Sequence, residues 1–134
     1  MVLETTTEQV EGPAAVTIVR LDGELDASNF EGLTETVRGL YDGGTRRLLL
    51  DLSGLRFMAS SGLVALHSIV RIMHGERPLD TEAGWSALRA EIGDTQTEVQ
   101  LCAPQPAVAR VLSRTGIERM FIIHPDRAAA LAAL

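Results

Sequence analysis

There is no lysine in this chain of 134 residues; all twelve of its cations are arginine. That absence excludes a P-loop nucleotide site, whose lysine must reach the phosphates. Eighteen acidic residues leave a net charge of −6. The only clustered cations, Arg46 and Arg47, are too few for a nucleic-acid footprint, and no basic stripe with interleaved aromatics occurs, so no direct nucleic-acid partner is expected. Cysteine occurs once, at Cys102, which excludes an internal disulfide, and no Cys/His spacing suggests a metal. A lone Cys in an apolar stretch reads as a small buried side chain. The opening MVLETTTEQVEG has neither a basic n-region nor an apolar h-region, so no signal peptide is expected. The longest apolar stretch, around Gly62 to Met73, is broken by His67, Ser68 and Arg71 and is too short to span a bilayer. The expected compartment is the cytoplasm.

What is present suffices for one core. Apolar residues make up 46% of the chain, and the length fits a single domain, 1–134. Glu11-Gly12-Pro13 is a turn signal, so Leu3 to Val10 can pair as a hairpin with Ala15 to Leu21, where Val16, Ile18 and Arg20 alternate with Thr17, Val19 and Leu21. The glycine of LDGEL (21–25) reads as a tight turn. Ser28 and Glu31 have capping-box spacing. Behind them Phe30, Leu33, Val37, Leu40 and Tyr41 form a helical stripe, which Gly43-Gly44 ends. Leu48, Leu49 and Leu50 are continuous, which suits a strand buried on both faces.

A second helix begins near Ser60 or Ser61, with Leu63, Leu66, Ile69, Val70 and Met73 inward and His74-Gly75 as its stop. EVQLCA (98–103) is a short strand. Pro104 to Arg114 is a third helix, with Pro106 in its first turn and Val108, Val111 and Leu112 inward. Gly116 caps it, RMFIIH (119–124) is a strand, and Pro125 to Leu134 is a final Ala-rich helix. Strands alternating with helices after a hairpin predict an α/β fold with about four helices covering a sheet.

The segment 76–97 interrupts the alternation. It is long for a connection. Trp85, Leu88 and Ile92 share one helical face, with Asp80 or Thr81 as N-cap and Gly93 as stop, so a short amphipathic helix near 80–92 is expected in an insertion. Trp85 then either packs on the domain's own surface or anchors a partner or a second copy.

Enzyme chemistry is poorly provided for. The strand–Ser–helix order resembles a nucleophile elbow, but Met58 stands where G-x-S-x-G has its first glycine. His67, His74 and His124 are placed as a helix-face residue, a helix-end residue and a loop residue, not as a base behind a serine. Asp22, Glu24 and Asp26 lack the further ligands a metal site needs. No metal and no cofactor are expected.

Two stretches, VRLDGELDASN (19–29) and LLLDLSGLRFMASSGLVAL (48–66), together resemble the STAS domain family, specifically bacterial anti-sigma factor antagonists. A third, PQPAVARVLSRTGIERMFIIHPD (104–126), is similar to the family's closing segment. The resemblance spans nearly the whole chain except 76–97. It implies a mixed β-sheet domain that recognises a protein and is not an enzyme. Its partner would be an anti-sigma factor with serine kinase activity, which phosphorylates the first serine of the pair, here Ser60, with Ser61 as second choice. The unphosphorylated form binds the anti-sigma factor and frees a sigma factor; the phosphorylated form lets go. The implied contact surface is Asp26, Ala59, Ser60, Ser61 and Gly62. Ala59 departs from the family, which places Asp there. A scaffold or sensor that binds a protein or small ligand without modification is the alternative.

The residues suit such a switch. A helix start offers unpaired N–H groups and the positive end of the helix dipole. Ser60 and Ser61 can cap there, and a phosphate at Ser60 would be tolerated by the helix while disturbing a partner fitted to a neutral hydroxyl.

Overall fold

The structure, a computed structural model, describes residues 2–11, 15–75 and 98–133. The expected helix around Trp85, and with it the insertion 76–97, lies outside the described residues. Five strands form one sheet in the order β1-β2-β3-β4-β5: β1 (Leu3–Val10), β2 (Val16–Leu25), β3 (Leu48–Met58), β4 (Val99–Cys102) and β5 (Ile123–His124). β1 runs antiparallel to β2, and β2, β3, β4 and β5 are mutually parallel. Four α-helices accompany them among the described residues: α1 (Phe30–Asp42), α2 (Ser60–Met73), α3 (Pro106–Thr115) and α4 (Arg127–Ala132).

The order of the sheet dictates where the helices go. Parallel neighbours need crossovers, and right-handed crossovers that always step the same way deliver every crossover helix to one face. Accordingly, Leu33 and Val37 of α1, Leu63, Leu66 and Ile69 of α2, and Val108 and Leu112 of α3 share one core with Val19, Leu21, Leu48, Leu50, Leu52 and Leu101. The opposite face carries a smaller core of Val16, Ile18, Leu49 and Cys102, closed by Ala130 of the short α4. The run of leucines in β3 is thus explained: Leu48 and Leu50 face three helices, while Leu49 faces α4.

α4 is held by charge as well as by its alanines. Asp51 of β3 is buried, and its Oδ2 accepts from Arg127 Nη2 at 3.0 Å and Nε at 3.2 Å. Arg127 Nη1 also donates to Glu8 Oε2 on β1, at 2.8 Å. Ser53 N–H donates to Asp51 Oδ1 at 3.0 Å. Burial alone would raise the Asp51 pKa, but the Ser53 and Arg127 hydrogen bonds outweigh it and hold the carboxyl below the ordinary aspartate value. Cys102, paired in register with Asp51, is fully buried. Burial, and then the negative charge of Asp51, push its thiol up to about 11.

Several local expectations are corrected. LDGEL is not a turn but the end of β2. Gly23 lies within the strand at φ +114°, and a Cβ there would strike the Val2 carbonyl, so only glycine lets β1 lie this close. The N-cap of α1 is Asn29, not Ser28, and no side chain caps that helix. RMFIIH is a strand only at Ile123–His124. Arg119 and Met120 belong to a 3₁₀ turn (Ile117–Met120) that buries Ile117 and Met120, three residues apart. The last helix starts at Arg127, with the Asp126 carboxylate accepting from Ala129 N–H, rather than at Pro125.

Candidate functional site

β3 is longer than its parallel neighbours because its register with β2 slips twice, between Arg20 and Asp22 and between Gly23 and Glu24. Each slip inserts one extra residue on β3. The second opposes Glu24 to Phe57 and Leu25 to Met58. It also breaks the in–out alternation, so Leu55 and Met58 are buried while Arg56 and Phe57 between them are exposed.

The chain then turns into α2. Ala59 is extended (φ −80°, ψ 171°) and is the N-cap. Its N–H donates to Leu25 O at 2.9 Å, and its C=O accepts from Gly62 N–H at 2.9 Å. The helix mouth is therefore fixed to the end of β2 by backbone alone. Gly62 is buried, and a Cβ on it would come within 2.6 Å of Met58 Cγ and 3.1 Å of Leu25. Its lack of a side chain lets α2 sit on the ends of β2 and β3. Gly62 therefore faces inward and presents no surface of its own.

Ser60 is exposed, and Ser61 and Ala59 are half-buried. No side chain caps α2, so the expected capping by either serine does not occur. Among the described residues the Ser60 hydroxyl is committed to nothing. The Leu25–Ala59 bond brings Asp26 to the same end of the sheet, directly after Leu25. The Asp26 carboxylate accepts from the Ser28 hydroxyl and from Ser28 N–H. These two bonds, the hydroxyl first, hold it below the ordinary carboxylate pKa and therefore charged. Asp26 N–H donates to Asn29 Oδ1 at 3.0 Å, and Asn29 Nδ2 donates to Glu24 O at 2.9 Å. Asn29 thereby fixes the exit from β2, a role the sequence reading did not give it.

Phe57 was also missed. At 44% exposure it stands out against the thirty hydrophobic residues of the buried core, two residues before Ala59. The signal was available in principle: Leu55 and Met58 are three apart, which no unbroken strand can bury on one face.

Among the described residues no histidine is paired with Ser60 or Ser61. His74 Nε2 lies 3.2 Å from Glu98 Oε2, His124 Nε2 lies 2.7 Å from Gln100 Oε1, and His67 is buried within α2. Among the described residues no group of three His, Cys, Asp or Glu side chains could hold a metal ion, and no helix is long and apolar enough to cross a membrane.

A mixed sheet with its crossover helices on one face, ending in a serine-bearing helix mouth, defines an α/β domain of the SpoIIAA-like type. The chain belongs to the STAS domain family, whose model matches residues 6–74, half of its 134 residues. Among relatives, it is 25% identical over 98% of its length to a Bordetella bronchiseptica protein, BtrV, of which it covers 94%; that protein's name gives it provisionally as an anti-sigma factor antagonist. Among solved structures, it resembles an anti-sigma factor antagonist from Mycobacterium paratuberculosis, with a TM-score of 0.69 and 24% identity over 98% of this chain and 93% of that one. It also resembles the phosphorylated form of the Bacillus cell fate determinant SpoIIAA, with a TM-score of 0.61 and 18% identity over 98% of this chain and 100% of that one.

Proposed function

We propose that this protein is an anti-sigma factor antagonist. In this reading it docks on a kinase-type anti-sigma factor through the surface formed by Asp26, Phe57, Ala59, Ser60 and Ser61, and phosphorylation of Ser60 ends the complex. The observation that carries it is the Ser60 hydroxyl, exposed at a helix mouth and used for no internal bond. The relatives named for antagonism, and the phosphorylated form in which SpoIIAA has been solved, support the same reading.

The physics favours release over unfolding. A phosphate adds roughly −1.5 to −2 charges, which the N-terminal end of α2 accommodates. It adds to the charge of Asp26, a carboxylate already ionised at the same end of the sheet. A partner that covers this surface must then desolvate or repel both groups. A cost of about 3 kcal/mol weakens binding roughly a hundredfold. A domain working this way is a substrate of phosphorylation rather than a catalyst, acts in the cytoplasm with its partner, and needs neither nucleic acid nor cofactor.

Ala59 favours a second reading, a STAS scaffold or sensor whose contacts do not depend on modification, because the carboxylate usual in the family at that position is absent. One experiment separates the two. The purified protein is incubated with kinase-type anti-sigma factors and Mg-ATP, phosphate is located by mass spectrometry, and binding of Ser60→Asp is measured. Label on Ser60, its loss in Ser60→Ala and a binding defect in Ser60→Asp are expected. No label on any serine, together with unaltered binding by Ser60→Asp, would leave the scaffold.

A further inference from the structure

We propose that the cleft where β2 and β3 begin, lined by Thr17, Thr45, Arg46 and Arg47, binds a phosphate group, either free or carried by a small organic molecule. The cleft has a volume of about 370 Å³, within the range of small-molecule sites. It lies at the other end of the parallel strands from the serine pair: Thr17 is in register with Leu48 at the start of β3, whereas Ser60 follows Met58 at its end. From Thr17 to Leu25 the strand spans roughly 26 Å. The proposal is therefore independent of what binds Ser60.

The two arginines supply the charge. Arg46 is fixed in place: its Nη1 donates to Tyr41 O at 2.7 Å and to Thr45 O at 2.9 Å, and its guanidinium lies 3.9 Å from the centre of the Tyr41 ring. Both carbonyl bonds use the same nitrogen, so Nη2 and the Nε N–H stay uncommitted among the described residues. The guanidinium also offsets the carbonyl end of α1, which by itself repels an anion. Arg47 follows directly. Neither arginine has a carboxylate partner among the described residues. In a chain of net charge −6, the one pair of adjacent cations is thus left without a counter-ion. Guanidinium forks match phosphate oxygens in geometry as well as in charge.

The hydroxyls point to the same chemistry independently. Thr17 is only 4% exposed, and its Oγ1 lies 3.1 Å from Thr45 Oγ1. Each hydroxyl carries one hydrogen, and one hydrogen bond joins the two. Whichever threonine donates, the hydrogen of the other has no acceptor among the described residues, and both side chains line the cleft. A shielded hydroxyl hydrogen without an acceptor is unfavourable. A phosphate oxygen supplies that acceptor beside the two guanidiniums. Glu11 is the single carboxylate among the lining residues, and it is exposed, so it weakens the site without filling it.

The test uses the full chain. Amide chemical shifts are followed by NMR during titration with inorganic phosphate and with phenyl phosphate, against sodium chloride at matched ionic strength. Saturable shifts at Thr45, Arg46 and Arg47 are expected with the phosphates and not with chloride. Tighter saturation by phenyl phosphate would support a carried phosphate, and tighter saturation by inorganic phosphate the free ion. Arg47→Gln should weaken binding about tenfold, the equivalent of one charged hydrogen bond. Thr17→Val should weaken it several-fold, and Glu11→Gln should tighten it several-fold. Arg47 and Glu11 are exposed, so their variants keep the fold even if Thr17→Val does not. No saturable shift with either phosphate, the same shifts with chloride, or Arg47→Gln binding as tightly as the parent would each overturn the proposal.

Discussion

Replacing Arg127 by Met tests the bond that fastens α4 to the sheet while keeping most of the side chain's apolar stem. The variant strips two N–H donors from Asp51, whose side chain is only 4% exposed, and leaves it the hydrogen bonds of Ser53. Hydrogen bonds to a charged group contribute about 1.5–3 kcal/mol each when buried. Arg127 is itself 35% exposed, so solvent screening reduces the pair to the low end, and a total loss of about 2 kcal/mol is expected. In a domain of this size that lowers Tm by about 7 °C. Urea unfolding followed by circular dichroism measures it, with an unchanged slope required. The pair also has a sign that a mere packing defect lacks. Breaking one partner strands a buried charge, whereas removing both does not, so Asp51→Asn/Arg127→Met should be more stable than Arg127→Met alone. The acid limb gives a third reading. Because the Asp51 pKa is lowered on folding, its contribution is complete above the ordinary value of 3.8 and is lost as pH falls through the lower folded value. In Arg127→Met that acid loss shrinks. An Arg127→Met variant within about 0.5 kcal/mol of the parent, or a double variant less stable than the single one, would refute the reasoning.

Ser60→Ala should change stability by less than about 0.5 kcal/mol, since no cap is lost; a loss of 1 kcal/mol or more in urea unfolding would mean that the hydroxyl is engaged. Gly62→Ala should cost about 1–3 kcal/mol by overpacking against Met58 and Leu25, read by the same assay, and a neutral result would show that the strand ends can yield. Phe57→Ala should leave stability within about 0.5 kcal/mol but weaken partner capture at least tenfold in calorimetry, as expected of an exposed aromatic anchor. Cys102, buried with its pKa at about 11, should resist thiol reagents in the native protein at neutral pH and react faster in Arg127→Met; equal rates would show that α4 does not shield it.

The parts of the fold that sequence reading reached are those written in short-range pattern. Leu48-Leu49-Leu50 announced a strand covered on both faces, and Leu63, Leu66, Ile69, Val70 and Met73 announced the inward side of α2. Both signals need only a window of a few residues. The serine pair was legible because hydroxyls next to a helix start are chemically conspicuous. What escaped depends on distant or competing partners. Ser28 has the right spacing for a cap, but the Asp26 carboxylate takes its hydroxyl, and Asn29 stands at the N-cap. The strand character of LDGEL follows from slips against β3, thirty residues away and invisible locally. Arg127 and Asp51 are separated by 76 positions, and nothing in either neighbourhood announces the other. Phe57 looked like one more apolar strand residue until the slip turned it outward.

The way Ala59 is tethered has a consequence for signalling. The turn into α2 is welded by main-chain atoms and by the hollow at Gly62, so the scaffold stays indifferent to what decorates the neighbouring hydroxyl. Under the proposed function, information written at that spot would be stored as a change of surface chemistry rather than of shape. It would then be inscribed and erased without the domain having to refold, and a reader would sense it by touch at the helix mouth, not by any movement relayed through the sheet.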